Sequence, residues 1–551
     1  MRKNGRKSYG SRAWHLGMAA IIASSTRRLL AASAFTISSS AQKRPRTSTG
    51  TSVVIRHASS AEDNVPYFDR IGRPRTVLAP MVSQSDLPFR LLCRKYGSEL
   101  AYTQMIHAKN YGLSDDFRAN HLDVYAPGQV IDETVLSGSQ LNCLDGLGRD
   151  FGPGGFDRYK LRMTAEEGYT EDHASFVNPV SSIVYPDEGP VVVQLAGHDP
   201  TLVADAALDI VERTQGNIAG IDLNGGCPQK IARSGRYGAF LHEEEPELYC
   251  DVLAKIRQTI PQNIGVSAKI RLPIDETQLR ERIQRIVHSG VDLITVHGRT
   301  LKENKTKVKH ANWDAIALAA QIARECSGNP DFPVIANGGI EFGSDVQKCL
   351  DHTGASAVMS SESLLENPAL FTTTGPYAVD DTELSPRQLF ERQLNLVDEY
   401  LDLCELYPPV PGSLGKVGGS YNVVRSHVFK MVYRYLEERP EIRTKLADNS
   451  VVSIPATRQI LIELRASYEG LSDAEWLECK SGKVGSSWYR RHREAATRVH
   501  RRGGYASNAG SLNEVTSIEE KKRIIKARLR KLKEQKENRL SGLPSNVEIS
   551  A

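Results

Sequence analysis

From residue 75 onward, short apolar runs alternate with longer stretches whose apolar positions recur every three to four residues. Residues 76–79 and 100–103 are compact runs of the first kind, and 87–95 between them has the helical period. Residues 191–195 are apolar at every position but Gln194, as in a strand covered on both faces. Helical periodicity at 202–213, 246–259, 278–289, 313–326 and 344–353 then alternates with strand-like runs at 220–223, 266–270, 293–296, 334–336 and 357–359. Repeated about eight times, this order predicts an α/β protein with a parallel sheet, which on closing is a (β/α)8 TIM barrel. Periodicity leaves an open doubly wound sheet in play, although no G-x-G-x-x-G follows the first strand, which counts against a dinucleotide-binding form of it.

Two segments break the rhythm. Residues 113–188 are too long for a barrel loop and rich in Gly and Asp, which predicts an insertion. After residue 374 the pattern is all-helical, at 386–407, 423–438 and 455–469, as in a small helical domain packed on the barrel. The expected organisation is therefore a segment 1–60, a barrel 70–375, a helical domain 380–470 and a basic extension 471–551, the termini being disordered or helical.

Composition narrows the class. Of 551 residues, 40% are hydrophobic and 25% charged, ordinary for a soluble globular protein. No stretch approaches the ~20 consecutive apolar residues of a membrane-spanning helix, so no membrane partner is expected. The net charge of +4 hides a strong asymmetry: residues 1–60 and 480–551 each carry +11, which leaves −18 on the body between them. Residues 1–60 hold no acid and are rich in Arg, Ser, Thr and Ala, the composition of an organelle transit peptide, with mitochondrion and plastid both open. The other reading is a basic arm on nucleic acid in a cytoplasmic protein. Eight scattered cysteines with no C-x-x-C pair point to free thiols and to no metal site.

In a parallel barrel the reactive groups follow the strand C-termini. That rule gathers Pro80, Met81 and Val82 after the first strand, Gln194 inside the third, Asn224 and Cys227 after the fourth, and Lys269 and Arg271 at the end of the fifth. His297 and Arg299 end the sixth; Asn337, Gly338 and Gly339 end the seventh; Ser361 and Glu362 follow the last. Glycines here let backbone N–H groups approach an anion, and the loops after strands seven and eight are the usual phosphate site. Lys269 suits negative charge on a bound ring, His297 can donate to an oxygen, and Gln194 can meet a ring edge with donor and acceptor together. Cys227, with an ordinary pKa near ~8.5, stays protonated at neutral pH and can deliver a proton. Each feature alone has an ordinary explanation as a turn, a satisfied histidine or a packed thiol. Their common end of successive strands favours a site.

Several motifs resemble the tRNA-dihydrouridine synthases: Ala79-Pro80-Met81-Val82, Asp222-Leu223-Asn224-Gly225-Gly226-Cys227-Pro228-Gln229, Gly235-Arg236-Tyr237-Gly238-Ala239-Phe240-Leu241, Lys269-Ile270-Arg271, Thr295-Val296-His297-Gly298-Arg299-Thr300 and Asn337-Gly338-Gly339-Ile340. Gln229 and Asn367-Pro368-Ala369-Leu370-Phe371 are most similar to the eukaryotic tRNA-dihydrouridine(16/17) synthase branch. The resemblance covers residues 75–112 and 189–440. It implies FMN in the barrel mouth, NADPH or NADH as electron donor, and a uridine of the tRNA D-loop as substrate; a monomer is expected, with the oligomeric state left open by the sequence. Pro80, Met81, Val82, Gln194, Lys269, His297, Asn337, Gly338, Gly339, Ser361 and Glu362 would hold FMN. Asn224, Arg271 and Arg299 would position the substrate, and Cys227 would protonate C5 of uracil after hydride reaches C6. The helical domain would clasp RNA, with Arg425, His427 and Lys430 on phosphates. Ser363 stands where relatives have glycine, so the phosphate turn is expected to be built differently. The competing readings are a barrel flavoprotein acting on a free small molecule and a non-catalytic RNA-binding scaffold.

Overall fold

The computed structural model describes residues 65–132, 182–304, 307–412, 421–448, 453–479 and 487–490. Eight parallel strands form a ring: β1 (Thr76–Leu78), β2 (Leu100–Tyr102), β3 (Val191–Ala196), β4 (Gly220–Gly225), β5 (Gly265–Leu272), β6 (Leu293–Thr300), β7 (Val334–Asn337) and β8 (Ala357–Ser360). The pairing of β1 with β8 (Thr76 opposite Val358) and of β2 with β3 (Ala101 opposite Val191) closes the sheet, so the open doubly wound alternative falls.

Strand alternation sorts the residues into two cores. Val191, Val193, Leu195, Ile221, Leu223, Val266, Ala268 and Ile270 face outward and join the helices in one large apolar cluster. Val77, Leu100, Tyr102, Val192, Leu293, Ile335 and Met359 face the barrel axis, with Tyr67 packed beneath them. A Cβ on Gly265 would lie 2.1 Å from the Tyr67 ring, so the glycine makes room for that floor.

The helices begin where side chains can satisfy their first N–H groups. Asp199 caps α1 (Pro200–Arg213), with Pro200 in its first turn, and Asp275 caps α2 (Glu276–His288). Asn312 caps α3 (Trp313–Ser327), which ends on left-handed Gly328. After the barrel come α4 (Pro386–Leu406), opened by a Ser385–Gln388 capping box, α5 (Tyr421–Met431) and α6 (Ile454–Ala466). The continuous helix expected at 423–438 is interrupted at Val432 (φ −98°, ψ 11°) and resumes as the short Tyr433–Leu436 helix. Packing also runs past the expected boundary at 470, since Trp476 stacks on Tyr468 and lies beside Phe390.

The described ends of the expected insertion are tied to the barrel. Arg90 is wholly buried; its Nε and Nη2 donate to Glu188 at 2.7 and 2.8 Å, and its Nη1 donates to Asp123 at 2.9 Å. One guanidinium therefore clamps both ends, and Val130–Asp132 pairs antiparallel with Ser182–Val184 just inside them. The remainder of the insertion, segment 1–60 and most of the basic extension 471–551 lie outside the described residues. Among the described residues, no helix is long and apolar enough to cross a membrane, and no cluster of His, Cys, Asp or Glu is placed to hold a metal ion.

Candidate active site

The alternation that builds the barrel also builds the site. Residues 222 and 224 on β4, 267, 269 and 271 on β5, 295, 297 and 299 on β6, and 337 on β7 share the parity of the axis-facing positions. Polar side chains at these positions are held in a low-dielectric interior, where each must find a partner.

Five of them do so in two chains, while the Thr295 hydroxyl is buried with no hydrogen-bond partner. In the first, Ser267 Oγ donates to Asp222 Oδ1 at 2.7 Å and Gln194 Nε2 donates to Asp222 Oδ2 at 2.8 Å. Asn224 Nδ2 then donates to Gln194 Oε1 at 2.7 Å, and Asn224 Oδ1 accepts the backbone N–H groups of Gly226 and Cys227 at 3.0 and 2.9 Å. In the second, Lys269 Nζ donates to Asn337 Oδ1 and Asn337 Nδ2 donates to the Met359 carbonyl, each at 2.9 Å, which links β5, β7 and β8.

Cys227 sits on the turn after β4. Its carbonyl accepts from Ala239 N at 3.1 Å, and a Cβ on Gly238 would come within 2.9 Å of the Cys227 Cβ. The thiol is half-buried beside Tyr237, Phe240 and Met105, and burial raises its pKa despite the opposing pull of Arg271 and Lys269. It is therefore a protonated thiol at neutral pH.

Around it cations predominate. Burial, then repulsion from Arg271, pushes Lys269 down to about 8. Arg271 is pushed to about 10 by burial and Arg299; its Nε donates to the Gly226 carbonyl at 2.8 Å. His297 falls well below its usual range through burial and the neighbouring Arg271, Lys269 and Arg299, so its ring is neutral. Arg299 Nη1 lies 3.0 Å from His297 Nε2; because guanidinium only donates, Nε2 accepts and Nδ1 carries the proton. Arg299 Nε also donates to the Lys309 carbonyl, so this side chain is braced within the β6 loop.

The loops complete the rim. Ser85 Oγ donates to the Ala79 carbonyl at 2.8 Å and accepts from Met81 N at 2.9 Å, which shapes the turn of Pro80, Met81 and Val82. Val82 is 40% exposed there. Gly338 and Gly339 have φ of +102° and +87°, a backbone that favours glycine, and a Cβ on Gly338 would meet the His297 ring at 3.0 Å. Ser361 and Glu362 stand half-buried where β8 gives way to the Glu362–Glu366 helix. Ser363 is buried and its hydroxyl donates to the Ile340 carbonyl at 2.6 Å, which ties the turn after β8 to the loop after β7.

The three residues expected on RNA phosphates are not together at any surface. His427 is 0% exposed, with Nε2 2.7 Å from Asp86 Oδ1, and Lys430 is buried against Gln84 and Ser426. Their atoms face the loop after β1, out of a polyanion's reach, so the expectation is corrected for both. Arg425 is half-buried, donating to the Asp448 carbonyl at 2.7 Å and to Asn422. Asp222 and Ser267 were missed by reading only strand ends. Their signal was parity: they stand two residues before Asn224 and Lys269 on the same faces.

A closed barrel with a thiol, a buried ammonium and paired amides at its C-terminal mouth defines a class of enzyme, and the sequence agrees. The chain belongs to the dihydrouridine synthase (Dus) family, whose sequence profile matches residues 77–124 and 163–447. The break between the two matched stretches lies within the long insertion.

Among curated relatives, the tRNA-dihydrouridine(16/17) synthase of Saccharomyces cerevisiae, specified as NAD(P)(+), is 30% identical over 383 residues, covering 69% of this chain and 70% of the relative. The corresponding protein of Schizosaccharomyces pombe is 28% identical, covering 69% and 75%. The tRNA-dihydrouridine(16/17) synthase-like protein of Rattus norvegicus is 31% identical over 379 residues, covering 68% and 64%.

Proposed function

We propose that this protein reduces uridine to 5,6-dihydrouridine in the D-loop of tRNA, as a monomer, with FMN in the barrel mouth and NADPH or NADH as electron donor. The observation that carries the reading is the turn of Cys227, held by Asn224 next to a cluster of mutually repelling cations. Such a cluster fits an anionic, hydrogen-bonding cofactor: Lys269 meets ring charge, Gln194 meets a ring edge, and the Gly338–Gly339 backbone approaches a phosphate. Bound FMN would supply the hydride for C6 of the uracil.

The chain's own residues do the rest. Asn224 and Arg271 orient the base over the mouth. The Cys227 thiol, kept protonated by burial, delivers the proton to C5. Neutral His297 offers its Nδ1–H as a donor, while its other nitrogen is occupied by Arg299. Pro80, Met81, Val82, Ser361 and Glu362 close the rim.

The test is to purify the full chain, confirm a flavin spectrum, and incubate it with unmodified tRNA transcript and NADPH. Dihydrouridine found by nuclease digestion and mass spectrometry supports the reading; reduction of free nucleobases but not tRNA would replace it with the small-molecule alternative. Residues 1–60 are proposed on composition as an organelle-targeting segment, and a fluorescent fusion of those residues that stays in the cytosol would overturn that.

A further inference from the structure

We propose that Asp222 is a positioning residue whose carboxylate, buried below the mouth, sets the direction of the Gln194 and Asn224 amides and so shapes the turn that carries Cys227. The inference rests on the reading above only for what Cys227 and Gln194 do there.

The direction is forced from the top of the chain. Two backbone N–H groups, of Gly226 and Cys227, converge on one side-chain atom of Asn224, and only an oxygen can accept them. Asn224 is then left with N–H donors, so Gln194 must present its oxygen, as it does at 2.7 Å. Gln194 is left in turn with N–H donors and needs an acceptor beneath it. Asp222, 0% exposed, is that acceptor at 2.8 Å. If Gln194 turned over, its amide would face the Asn224 amide donor to donor; if Asn224 turned with it, two backbone N–H groups would face an N–H₂. Either arrangement leaves buried donors unmatched, which costs more than one bond contributes.

Acceptance, rather than charge, is the property in use. Lys269 spends its contact on Asn337, so no cation touches Asp222, and the groups that do are an amide and a hydroxyl. Burial pushes Asp222 up to about 7 against the pull of Gln194, Ser267 and Lys269. A neutral group can fill the place, because the Ser267 hydroxyl is able to accept as well as donate. The relay also leaves Gln194 one N–H and one lone pair uncommitted by these bonds, and Asp222 thereby decides which corner of that amide is the donor.

Three variants separate the possibilities, read by the rate at which iodoacetamide labels Cys227 in flavin-free protein, with half-buried Cys250 as an internal reference in the same peptide map. Asp222→Leu keeps the shape and removes the acceptor; Cys227 labelling should rise about fivefold or more as its turn loses two held N–H groups. Asp222→Asn can still accept from Gln194 and should stay within about twofold of wild type. Gln194→Met breaks the next link and should behave like Asp222→Leu; it carries the test should Asp222→Leu not fold.

Labelling at the wild-type rate in both Asp222 variants would reduce the residue to packing. Fast labelling in both would make charge the operative property, and unchanged or slower labelling in Gln194→Met would remove the relay itself; each overturns the proposal. Flavin content, measured on the same variants, reports separately on the proposed FMN site, so the labelling result stands whether or not flavin binds.

Discussion

The barrel mouth and the junction between barrel and helical domain both bury polar side chains, and they treat charge in opposite ways. At the junction buried charged groups meet hydrogen-bonding or oppositely charged partners. Asp86 lies between His427 Nε2 at 2.7 Å and the Tyr400 hydroxyl at 3.2 Å. Arg434 binds Glu366 and Asp381, Arg392 binds Asp381, and Gln393 donates to the Glu366 carbonyl at 2.9 Å. Arg490 reaches back to Glu341. At the mouth, after burial, Arg271 depresses Lys269, Arg299 depresses Arg271, and all three depress His297. Paired ions specify how two bodies fit together. Like charges left in mutual repulsion do nothing for stability, and their geometry is what a site for an anion requires.

The contrast predicts that the two regions fail differently. Cys227→Ala should give the largest effect, a loss of ~10²–10⁴-fold in turnover typical of a general acid, with thermal stability and flavin content unchanged. A variant that reduces tRNA at the wild-type rate would remove Cys227 from proton delivery.

His427→Leu strikes the junction. It leaves the Asp86 carboxylate with one fewer donor in a buried place and should cost on the order of 2–3 kcal/mol, read as a lower thermal midpoint. The salt dependence of tRNA binding should not move. A clear fall in that slope would put His427 on a phosphate after all.

The mouth should also respond to pH in a defined direction. Lys269 in the flavin-free protein loses its proton as pH rises through about 8. Below that value the ammonium is present and flavin binds at full strength; above it binding must take up a proton, so affinity should fall roughly tenfold per unit towards pH 9. Lys269→Met should bind weakly and show no such slope between pH 7 and 9. A wild-type affinity that is flat over that window would take Lys269 away from the flavin.

The smallest effect is expected at Arg425 and the basic C-terminal extension. Arg425→Ala should lower the salt slope of tRNA binding by ~0.7–0.9, the share of one phosphate contact, and truncation after residue 510 should lower it further while raising KM for tRNA. Equal slopes for variant and parent would assign both to structure.

Much of the scaffold was legible along the chain. Residues 246–259 and 344–353 were expected as helices and are helices over those bounds, because an amphipathic period and its stops are local properties. The strands were found as apolar runs but read short: β5 and β6 extend to Leu272 and Thr300, through the polar residues that form the site. Of that site, the side chains at strand ends were readable from topology alone, since a parallel barrel places all of them at one mouth. Asp222 and Ser267 were not, being one layer deeper.

What the sequence determined by itself was the order of elements, the periodicity of each, and the motif residues carried to one end of a parallel sheet. Those follow from the spacing of neighbouring residues. Tertiary structure decided the rest: closure through the β2–β3 pair, the floor made by Tyr67, and the fate of each charge. A lysine or histidine on a helix has the same sequence whether it meets water or a carboxylate. Lys430 and His427 face the loop after β1 because α5 packs there, and Lys269 faces the mouth because β5 turns its odd positions to the axis. Burial converts the first pair into structure and the second into chemistry, since only at the mouth does the low-dielectric interior open toward a ligand.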